Sequence, residues 1–414
     1  MVNRGTRVAL VSMHTSPAAR AGTVDAGGMN TYILAIATEL AARGVEVDLL
    51  TRATGAPAVH AVSDGVTLCE LRAGPPGPLA KDDLVAVTDE FGEAVAELAG
   101  RGGPGYDVIH AHYWLSGLAT LPVAFELGLP FVQSFHTVAA MKNASLAPGQ
   151  QPEPEMRLRT EAYLANQAGA VVAGSAAEVT TLIDSLRMPP ERAWVIPPGV
   201  DIAHFRPGRA AVADSRMRAR YGIDAASPIV TVAGRIQPLK GLELAVDTIA
   251  ELGAAGRWSP VLIVAGESTP GEDPYLQSLR QRAARLGIGA RVRFVGALGR
   301  EDLADLLAAS SITLVPSHSE TFGLVALESA ASGTPVIAQR GSGLTDSVAD
   351  GLSGVLVASR EPRDWAAAVS RVLDDEATGL GWSARSRLYA EGFTWGSTGT
   401  ALLGLYASLG QVRL

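Results

Sequence analysis

The 414-residue sequence contains one cysteine, Cys69, and has no long apolar run. A single cysteine excludes an intramolecular disulfide and a cysteine-rich zinc site, and it fits a reducing compartment. A membrane-spanning helix needs about 20 consecutive apolar residues, and the sequence has no such run. The first residues, MVNRGTRVALVSMH, contain a short apolar run without a small-residue cleavage site, which indicates a buried strand rather than a secretory signal. We therefore expect a cytoplasmic protein with no membrane partner.

Positive charge is also scarce. The sequence has 34 Lys and Arg residues against 42 Asp and Glu residues, for a net charge of −8. The field of such a molecule does not attract nucleic acid or an anionic membrane, so neither is expected as a partner. A local basic cluster must therefore hold any anionic ligand.

Short apolar runs alternate with amphipathic stretches along the chain, which is the pattern of parallel strands joined by crossover helices. The chain is too long for one hydrophobic core at roughly 100–200 residues per domain, so we predict two α/β, Rossmann-like, doubly wound domains. Ligands bind such sheets at the carboxyl ends of their strands, and two facing sheets predict a cleft. The predicted strands are 7–12, 45–51, 66–71, 108–110, 131–134, 170–173 and 193–196, then 229–233, 261–265, 292–295, 312–315, 335–338 and 355–357.

Prolines and glycines mark the boundary between the two domains. The stretches PPGVD at residues 197–201 and FRPG at 205–208 interrupt regular structure. We predict a first domain at residues 1–197, a linker at 198–208 and a second domain at 209–384. Residues 385–414 are predicted to be a helical tail anchored by Trp395 and Tyr406. Its pattern leaves the packing partner open, and we expect it to cross back to the first domain.

The stretch SETFGLVALE, residues 319–328, carries the strongest chemical signal. It follows a predicted strand and opens a helix, so the amides of Phe322, Gly323 and Leu324 form an anion site at the positive end of the helix dipole. Glu320 and Glu328 could bind sugar hydroxyls on either side of this site. Alternatively, both are solvated acids favoured by the helix start.

Two further loops carry residues suited to a diphosphate. In GRIQPLKG, residues 234–241, Arg235 and Lys240 follow the first strand of the second domain and could neutralise an anionic leaving group. In GGMN, residues 27–30, Gly28 precedes a helix and allows backbone amides to approach a ligand. The alternatives are two solvated cations and an ordinary capped loop.

Together these motifs resemble the retaining GT-B glycosyltransferases of the sucrose-synthase and glycogen-synthase-like group. The chain is similar in more detail to the mycothiol-pathway enzymes that transfer N-acetylglucosamine from UDP onto inositol phosphate. This resemblance runs from the first strand to about residue 354. It is carried by SMHTSP at 12–17, HAHYWLSG at 110–117, SFHTVAAMKN at 134–143, PEPE at 152–155 and SGTPVIA at 332–338.

The resemblance implies a nucleotide-sugar co-substrate, with a UDP-sugar favoured over a GDP-sugar, and no required cofactor or metal. It implies that Glu320 holds a donor hydroxyl near C3 and that Glu328 binds the ribose. It also implies that Arg235 and Lys240 bind the diphosphate with the backbone of Gly28. His136 would contact the donor sugar near C6, and the implied catalytic set is His136, Glu320, Arg235 and Lys240.

For the small-molecule acceptor, the resemblance implies a phosphate site. The phosphate would be held by Lys81, Tyr113, Thr137 and Arg157, and Asn30 would touch the acceptor ring. A front-face reaction is implied, in which the diphosphate takes the acceptor proton. The sequence leaves a homodimer open.

Some stretches depart from the mycothiol-pathway pattern. Arg340 adds a cation that we expect close to the donor site, which puts the donor sugar in doubt, and His318 stands where a tyrosine is usual. The base is expected to contact the backbone near residues 294–296. The alternatives are a secondary-metabolite glycosyltransferase acting on an aminocyclitol, a thiol or another small acceptor, a sugar-nucleotide epimerase, and a non-catalytic nucleotide-sugar-binding protein.

Overall fold

The computed structural model describes residues 5–19, 27–100, 105–268, 273–377 and 381–410. In these residues the chain forms two α/β domains of the predicted Rossmann-like class, each with one sheet between layers of helices. Residues 1–4, at the start of the predicted first domain, and residues 411–414, at the end of the predicted tail, lie outside the described residues. No helix in the described part of the chain is long and apolar enough to cross a membrane.

The first domain contains eight strands. They are β1 Arg7–Val11, β2 Glu46–Arg52, β3 Ala58–Ser63, β4 Val66–Leu71, β5 Val108–His112, β6 Phe131–Ser134, β7 Ala170–Ala173 and β8 Ala193–Val195. Their spatial order is β3-β4-β2-β1-β5-β6-β7-β8, and all neighbours are parallel except the antiparallel pair of β3 and β4. The strand order reverses between β1 and β5, which is where a doubly wound sheet opens a ligand crevice.

The second domain contains six strands. They are β9 Ile229–Ala233, β10 Val261–Ala265, β11 Val292–Gly296, β12 Ile312–Val315, β13 Val336–Gln339 and β14 Gly354–Val357. The sheet is entirely parallel, in the order β11-β10-β9-β12-β13-β14, so its switch point lies between β9 and β12. The two loops predicted to bind the donor follow β9 and β12, at this switch point.

Sixteen α-helices lie in the described residues, and most connect successive strands. Those of the first domain are α1 Gly28–Ala41, α2 Lys81–Leu84, α3 Thr88–Gly100, α4 Trp114–Leu127, α5 Ala139–Ala144, α6 Glu155–Gln167 and α7 Ala176–Leu186. They are followed by α8 Ala210–Tyr221, α9 Leu242–Ala255, α10 Asp273–Arg285, α11 Arg300–Ala309, α12 Leu324–Ala331, α13 Leu344–Ser347, α14 Pro362–Ala377, α15 Trp382–Ala390 and α16 Trp395–Ser408.

Helices cover both faces of each sheet. Because successive side chains of a strand point to opposite faces, both sets of side chains are buried. In β1, Val8 and Leu10 pack in the core beneath α1 and α16, whereas Ala9 and Val11 pack in the core beneath α3 and α4. This two-sided burial explains why the strands are continuous apolar runs rather than alternating ones.

The end of the chain contributes to both domains. Helix α15 packs on α12 in the second domain, and the boundary predicted between residues 384 and 385 falls inside it. Helix α16 packs on α1, and its Leu402, Leu405 and Tyr406 are fully buried in the core of the first domain.

The chain passes between the domains at two adjacent places. In the first crossing, Val200 donates a backbone hydrogen bond of 2.9 Å to the carbonyl of Phe393, which belongs to the return crossing. A Cβ at Gly199 would lie 2.2 Å from the backbone nitrogen of Trp395, so the two segments are in direct backbone contact. The connection between the domains therefore consists of two segments of the chain that pack against each other.

Candidate active site

A cavity of about 570 Å³ lies between the two domains. Its walls are formed by residues that follow strand ends in both sheets, including Tyr113 after β5, His136 after β6, Arg235 after β9 and Glu320 after β12. These strand ends meet at the cavity because the switch points of both sheets face it.

Glu320 and Lys240 form an ion pair on the second-domain wall. Lys240 Nζ lies 2.6 Å from Glu320 Oε1, which also accepts a 2.7 Å hydrogen bond from Ser317. The Glu320 amide donates to Ser342 Oγ at 3.1 Å, which fixes the loop. Lys240 ends a 3₁₀ turn after β9 and reaches across to the loop after β12. The ion pair leaves one Glu320 oxygen and two Lys240 hydrogens for a ligand.

The start of α12 presents backbone amides to the cavity. Gly323 precedes the helix with φ of +98°, a conformation that strongly favours glycine. A Cβ at this position would also lie 2.8 Å from Leu344 Cδ2. None of the described residues accepts a hydrogen bond from the amides of Phe322, Gly323 or Leu324. The Phe322 side chain is buried in a hydrophobic cluster formed by the linker and by helices of the second domain.

Two carboxylates in the cavity wall have raised pKa values. Burial raises the pKa of Glu328 to about 7, although Arg300 nearby lowers it. Burial also raises the pKa of Glu178 to about 8, against the effect of the Gly174 amide, which donates to Glu178 Oε2 at 2.9 Å. Glu178 Oε1 and the Tyr32 hydroxyl are buried and have no hydrogen-bond partner among the described residues. Polar ligand groups or water would complete these bonds.

His136 belongs to a buried histidine cluster. Its Nε2 lies 2.8 Å from His112 Nδ1, and the rings of His110 and His112 stack at 4.3 Å. Burial lowers the pKa of His136 to about 3, so the imidazole is neutral at pH 7. A neutral ring can donate one hydrogen bond and accept another, which suits contact with a sugar hydroxyl. No group of three or more candidate metal-binding side chains occurs within the described ranges.

A basic cluster lies on the first-domain wall. The Arg157 guanidinium packs 5.0 Å from the centre of the Tyr113 ring, and its Nη2 donates to the Thr137 carbonyl and hydroxyl oxygens at 2.9 and 3.0 Å. Lys81 and Lys142 line the same cavity. Tyr113 has φ of 73° and ψ of 156°, a conformation found almost only in glycine, and it turns the chain from β5 into α4.

The two domains touch directly across the cavity. Thr321 Oγ1 donates a 2.7 Å hydrogen bond to the carbonyl of His136, and Asp346 Oδ1 accepts a 3.3 Å bond from Ala176. A Cβ at Gly28 would lie 3.1 Å from Leu324 Cδ1, so a close approach occurs here as well. The structure is therefore a closed form of the cleft.

The structure gathers all but one of the predicted site residues in the cavity wall. The lining includes Gly28, Lys81, Tyr113, His136, Thr137, Arg157, Arg235, Lys240, Glu320, Phe322, Gly323, Leu324 and Glu328. Asn30 is absent from the lining. Its side-chain amide donates to Thr15 Oγ1 and the Ser16 carbonyl and accepts from the Gly27 amide, so it joins Thr15 and Ser16 to the start of α1.

Two other regions predicted near the donor are not among the cavity-lining residues. Arg340 does not face the donor side, because its guanidinium turns to Asp350 at 2.5 Å and to the Leu356 carbonyl. Residues 294–296 do not line the cavity either, and the neighbouring Ala297 and Leu298 do. The Gly296 carbonyl already accepts a 2.8 Å hydrogen bond from Gly266.

Sequence reasoning missed several lining residues, among them Tyr32, Lys142, Glu178 and Arg300. One signal could have found Lys142. The sequence contains only three lysines among its 34 basic residues, and all three, Lys81, Lys142 and Lys240, line this cavity.

Two Rossmann-like domains that close over a cavity with a helix-start anion site, basic side chains and carboxylates define a GT-B glycosyltransferase. A family model described as "Glycosyl transferases group 1" matches residues 214–393, and another described as "Glycosyltransferase Family 4" matches residues 26–204. A D-inositol 3-phosphate glycosyltransferase of Kineococcus radiotolerans is 41% identical over 424 residues, which cover 98% of this chain and 96% of that protein.

Solved structures agree on the fold. Sucrose-phosphate synthase from Thermosynechococcus elongatus has a TM-score of 0.85 at 30% identity and covers 98% of this chain and 99% of its own. Anabaena HepE in complex with UDP and glucose has a TM-score of 0.78 at 21% identity and covers 98% and 100%. The chain is an enzyme and belongs to the GT-B glycosyltransferase family that includes the D-inositol 3-phosphate glycosyltransferases.

Proposed function

We propose that this enzyme transfers N-acetylglucosamine from UDP-N-acetylglucosamine to an inositol phosphate, with retention of anomeric configuration. One observation carries the proposal. The hydrogen bond from Thr321 to the His136 carbonyl joins an anion site of the second domain to a basic cluster of the first. A donor diphosphate and an acceptor phosphate would then occupy opposite walls of one closed cavity.

The second-domain wall suits a nucleotide sugar. The amides at the start of α12, together with Arg235 and Lys240, would hold the diphosphate by backbone dipoles and two cations. Glu320, already fixed by Ser317 and Lys240, would accept a bond from a sugar hydroxyl. The Glu328 carboxyl is poised to bind the ribose hydroxyls. The UDP bound to the related fold of Anabaena HepE supports uracil as the base.

The first-domain wall suits a phosphorylated acceptor. Arg157 contacts Tyr113 and Thr137, and Lys81 and Lys142 line the same cavity. These cations occur together in a protein of net charge −8. A phosphate dianion would offset the repulsion among these cations. The name of the Kineococcus relative, a D-inositol 3-phosphate glycosyltransferase, supports inositol phosphate as the compound.

The reaction would proceed on one face of the sugar. The bond between C1 and the diphosphate oxygen breaks, the acceptor oxygen bonds to C1, and its proton passes to the departing diphosphate. Positive charge preorganised around the leaving group lowers the barrier for this step. Glu178 is a poor nucleophile, since burial keeps much of it protonated near pH 7 and Gly174 holds one of its oxygens.

Turnover of UDP-N-acetylglucosamine with D-inositol 3-phosphate tests the proposal. We expect kcat/KM to exceed that for unphosphorylated inositol by at least about 100-fold, which corresponds to about 2.7 kcal/mol of phosphate recognition. Arg157→Ala should abolish this preference, because Arg157 lies within the basic cluster and is 5% exposed. Calorimetric binding of UDP should be unchanged in the variant.

Arg159→Ala is the matched control. Arg159 lies on the same helix, pairs with Glu155, and has a 79% exposed side chain, so its removal should leave turnover intact. Tight UDP binding without transfer to inositol phosphate would reject the proposed acceptor and direct attention to an unphosphorylated polar acceptor. Binding of GDP in preference to UDP would reject the proposed donor.

A further inference from the structure

We propose that Lys142 is a further anion-binding residue of the acceptor pocket and that Glu153 positions it. This inference rests on the proposed function, because it assigns a ligand to the phosphate of the acceptor. Lys142 lies in the last turn of α5 and lines the cavity.

Glu153 holds two basic side chains with one carboxylate. Its Oε1 pairs with Lys142 Nζ, and its Oε2 accepts a 2.8 Å hydrogen bond from Arg157 Nη1. The Glu153 backbone is fixed in turn, since its amide donates to Asn143 Oδ1 at 2.8 Å. Glu153 is not among the cavity-lining residues, so it anchors both cations from the protein side and leaves the cavity side open.

The hydrogen-bond donors of Arg157 are nearly all engaged. Its Nε donates to Glu161 at 2.7 Å, its Nη1 to Glu153, and its Nη2 to both oxygens of Thr137. A guanidinium has five N–H groups, so one remains for a ligand. Arg157 therefore cannot offer the two-pronged grip that arginine usually gives a phosphate.

Lys142 has the donors that Arg157 lacks. An ammonium has three N–H groups, and in the described residues Glu153 is the hydrogen-bond partner of one of them. Two remain for a ligand. The distribution of lysine points the same way, since all three lysines of the sequence line this cavity while the rest of the basic residues are arginines.

Three other cations of the cavity wall act on Lys142. The pKa of Lys142 is lowered to about 8, chiefly by burial and also by Arg157, Arg235 and Lys81, whereas Glu161 acts in the opposite direction. A phosphate at this point would restore a favourable environment for the ammonium. Without a ligand, Glu153 pairs with both Lys142 and Arg157, and Glu161 pairs with Arg157 as well.

Binding of inorganic phosphate to the UDP-saturated enzyme tests this inference independently of turnover. Saturation with UDP blocks the donor diphosphate site. We expect Lys142→Gln to weaken phosphate binding at least about 10-fold by calorimetry, and Lys142→Arg to retain most of it. UDP affinity should be the same in both variants, which also reports correct folding.

Kinetics separate anion binding from a purely structural ion pair. Lys142→Gln should raise KM for inositol phosphate at least about 10-fold, leave kcat within about 3-fold, and leave KM for unphosphorylated inositol unchanged. Glu153→Gln, which keeps the side-chain shape, should raise KM for inositol phosphate by a smaller factor. Equal effects of Lys142→Gln on both acceptors would assign Lys142 a structural role and overturn the inference.

The calorimetric result also distinguishes the two proposals. If phosphate binding depends on Lys142 but inositol phosphate is not turned over, the anion site stands and the proposed acceptor fails. If wild type binds no phosphate, or Lys142→Gln binds it as tightly as wild type, Lys142 is not an anion ligand whatever the acceptor.

Discussion

Tyr113 is a strained residue in the cavity wall. Its φ of 73° and ψ of 156° cost about 1–3 kcal/mol for a residue other than glycine. The surrounding contacts hold it there, because its amide donates to Ser134 at 2.8 Å and its carbonyl accepts from Gly117 at 3.2 Å. In this strained turn, the Tyr113 ring lies 5.0 Å from the Arg157 guanidinium.

Glu178 gives a pH-dependent prediction at the residue scale. Its pKa is raised from 4.5 to about 8, chiefly by burial, while Gly174 opposes the rise and Glu161 adds to it. The Tyr32 ring, whose own pKa is raised by burial and by Glu178, packs nearby. A raised carboxyl pKa means that the folded state binds the proton more tightly, so the contribution of Glu178 to stability is fully present below pH 4.5 and is lost as the pH rises towards 8.

We therefore expect Glu178→Gln to stabilise the protein at pH 8 by roughly 2–4 kcal/mol and to leave stability at pH 4.5 nearly unchanged. Glutamine keeps an acceptor for Gly174 but carries no charge. Urea unfolding at both pH values measures the effect, with the exposed Glu126→Gln as control. Equal stabilisation at both pH values would contradict the assigned pKa.

At this scale the sequence predicted which residues line the cavity better than it predicted their hydrogen-bond partners. Residue types at strand ends and helix starts selected eight of the lining residues, because parallel sheets bring strand ends together, and the resemblance to GT-B glycosyltransferases implied the other five. The direction of Arg340 depends on Asp350, ten residues later, and the burial of Asn30 depends on Thr15. Neither pairing leaves a periodic signal in the sequence.

At the scale of elements, buried strands were the most predictable feature. The predictions for β9, β10 and β12 match the structure to the residue. Strand β3 was missed because it is a mostly exposed edge strand with small and polar residues and lacks the continuous apolar run of its neighbours. Its antiparallel pairing with β4 makes the first sheet mixed.

Helix α16 depends on a buried hydrogen bond between elements far apart in sequence. The Tyr406 hydroxyl lies 2.7 Å from His110 Nδ1, and His110 Nε2 lies 2.9 Å from Ser134 Oγ. Tyr406→Phe leaves the His110 nitrogen without its partner, which should cost about 1–2 kcal/mol of unfolding free energy. The urea midpoint measures this loss. Tyr163→Phe, at a 53% exposed site, should cost nothing measurable.

At the scale of the whole molecule, one hydrogen bond links closure to the site. Thr321→Val removes the bond to the His136 carbonyl but keeps the side-chain shape. We expect the closed form to lose about 1 kcal/mol, so that the ratio of closed to open molecules falls about fivefold. X-ray scattering of the UDP complex should then report a larger radius of gyration than for wild type.

Thr38→Val is the control for closure, since the exposed Thr38 hydroxyl bonds within its own helix, to the Leu34 carbonyl. An unchanged scattering profile for Thr321→Val, beside an unchanged control, would mean that the remaining contacts hold the domains together. The contact between Gly28 and Leu324 would then be the next to weaken.

The placement of α16 has a consequence for how the protein is made. The ribosome completes residues 5–195, and with them all eight strands of the first domain, long before it reaches the helix that covers one face of that sheet. Until then the apolar groups that α16 covers remain exposed, and the second domain is synthesised in the meantime. The strands of the first domain are therefore synthesised early, but the core on one face of its sheet is completed only when α16 is made. A chain that ended before residue 395 would have a first domain with part of its core exposed.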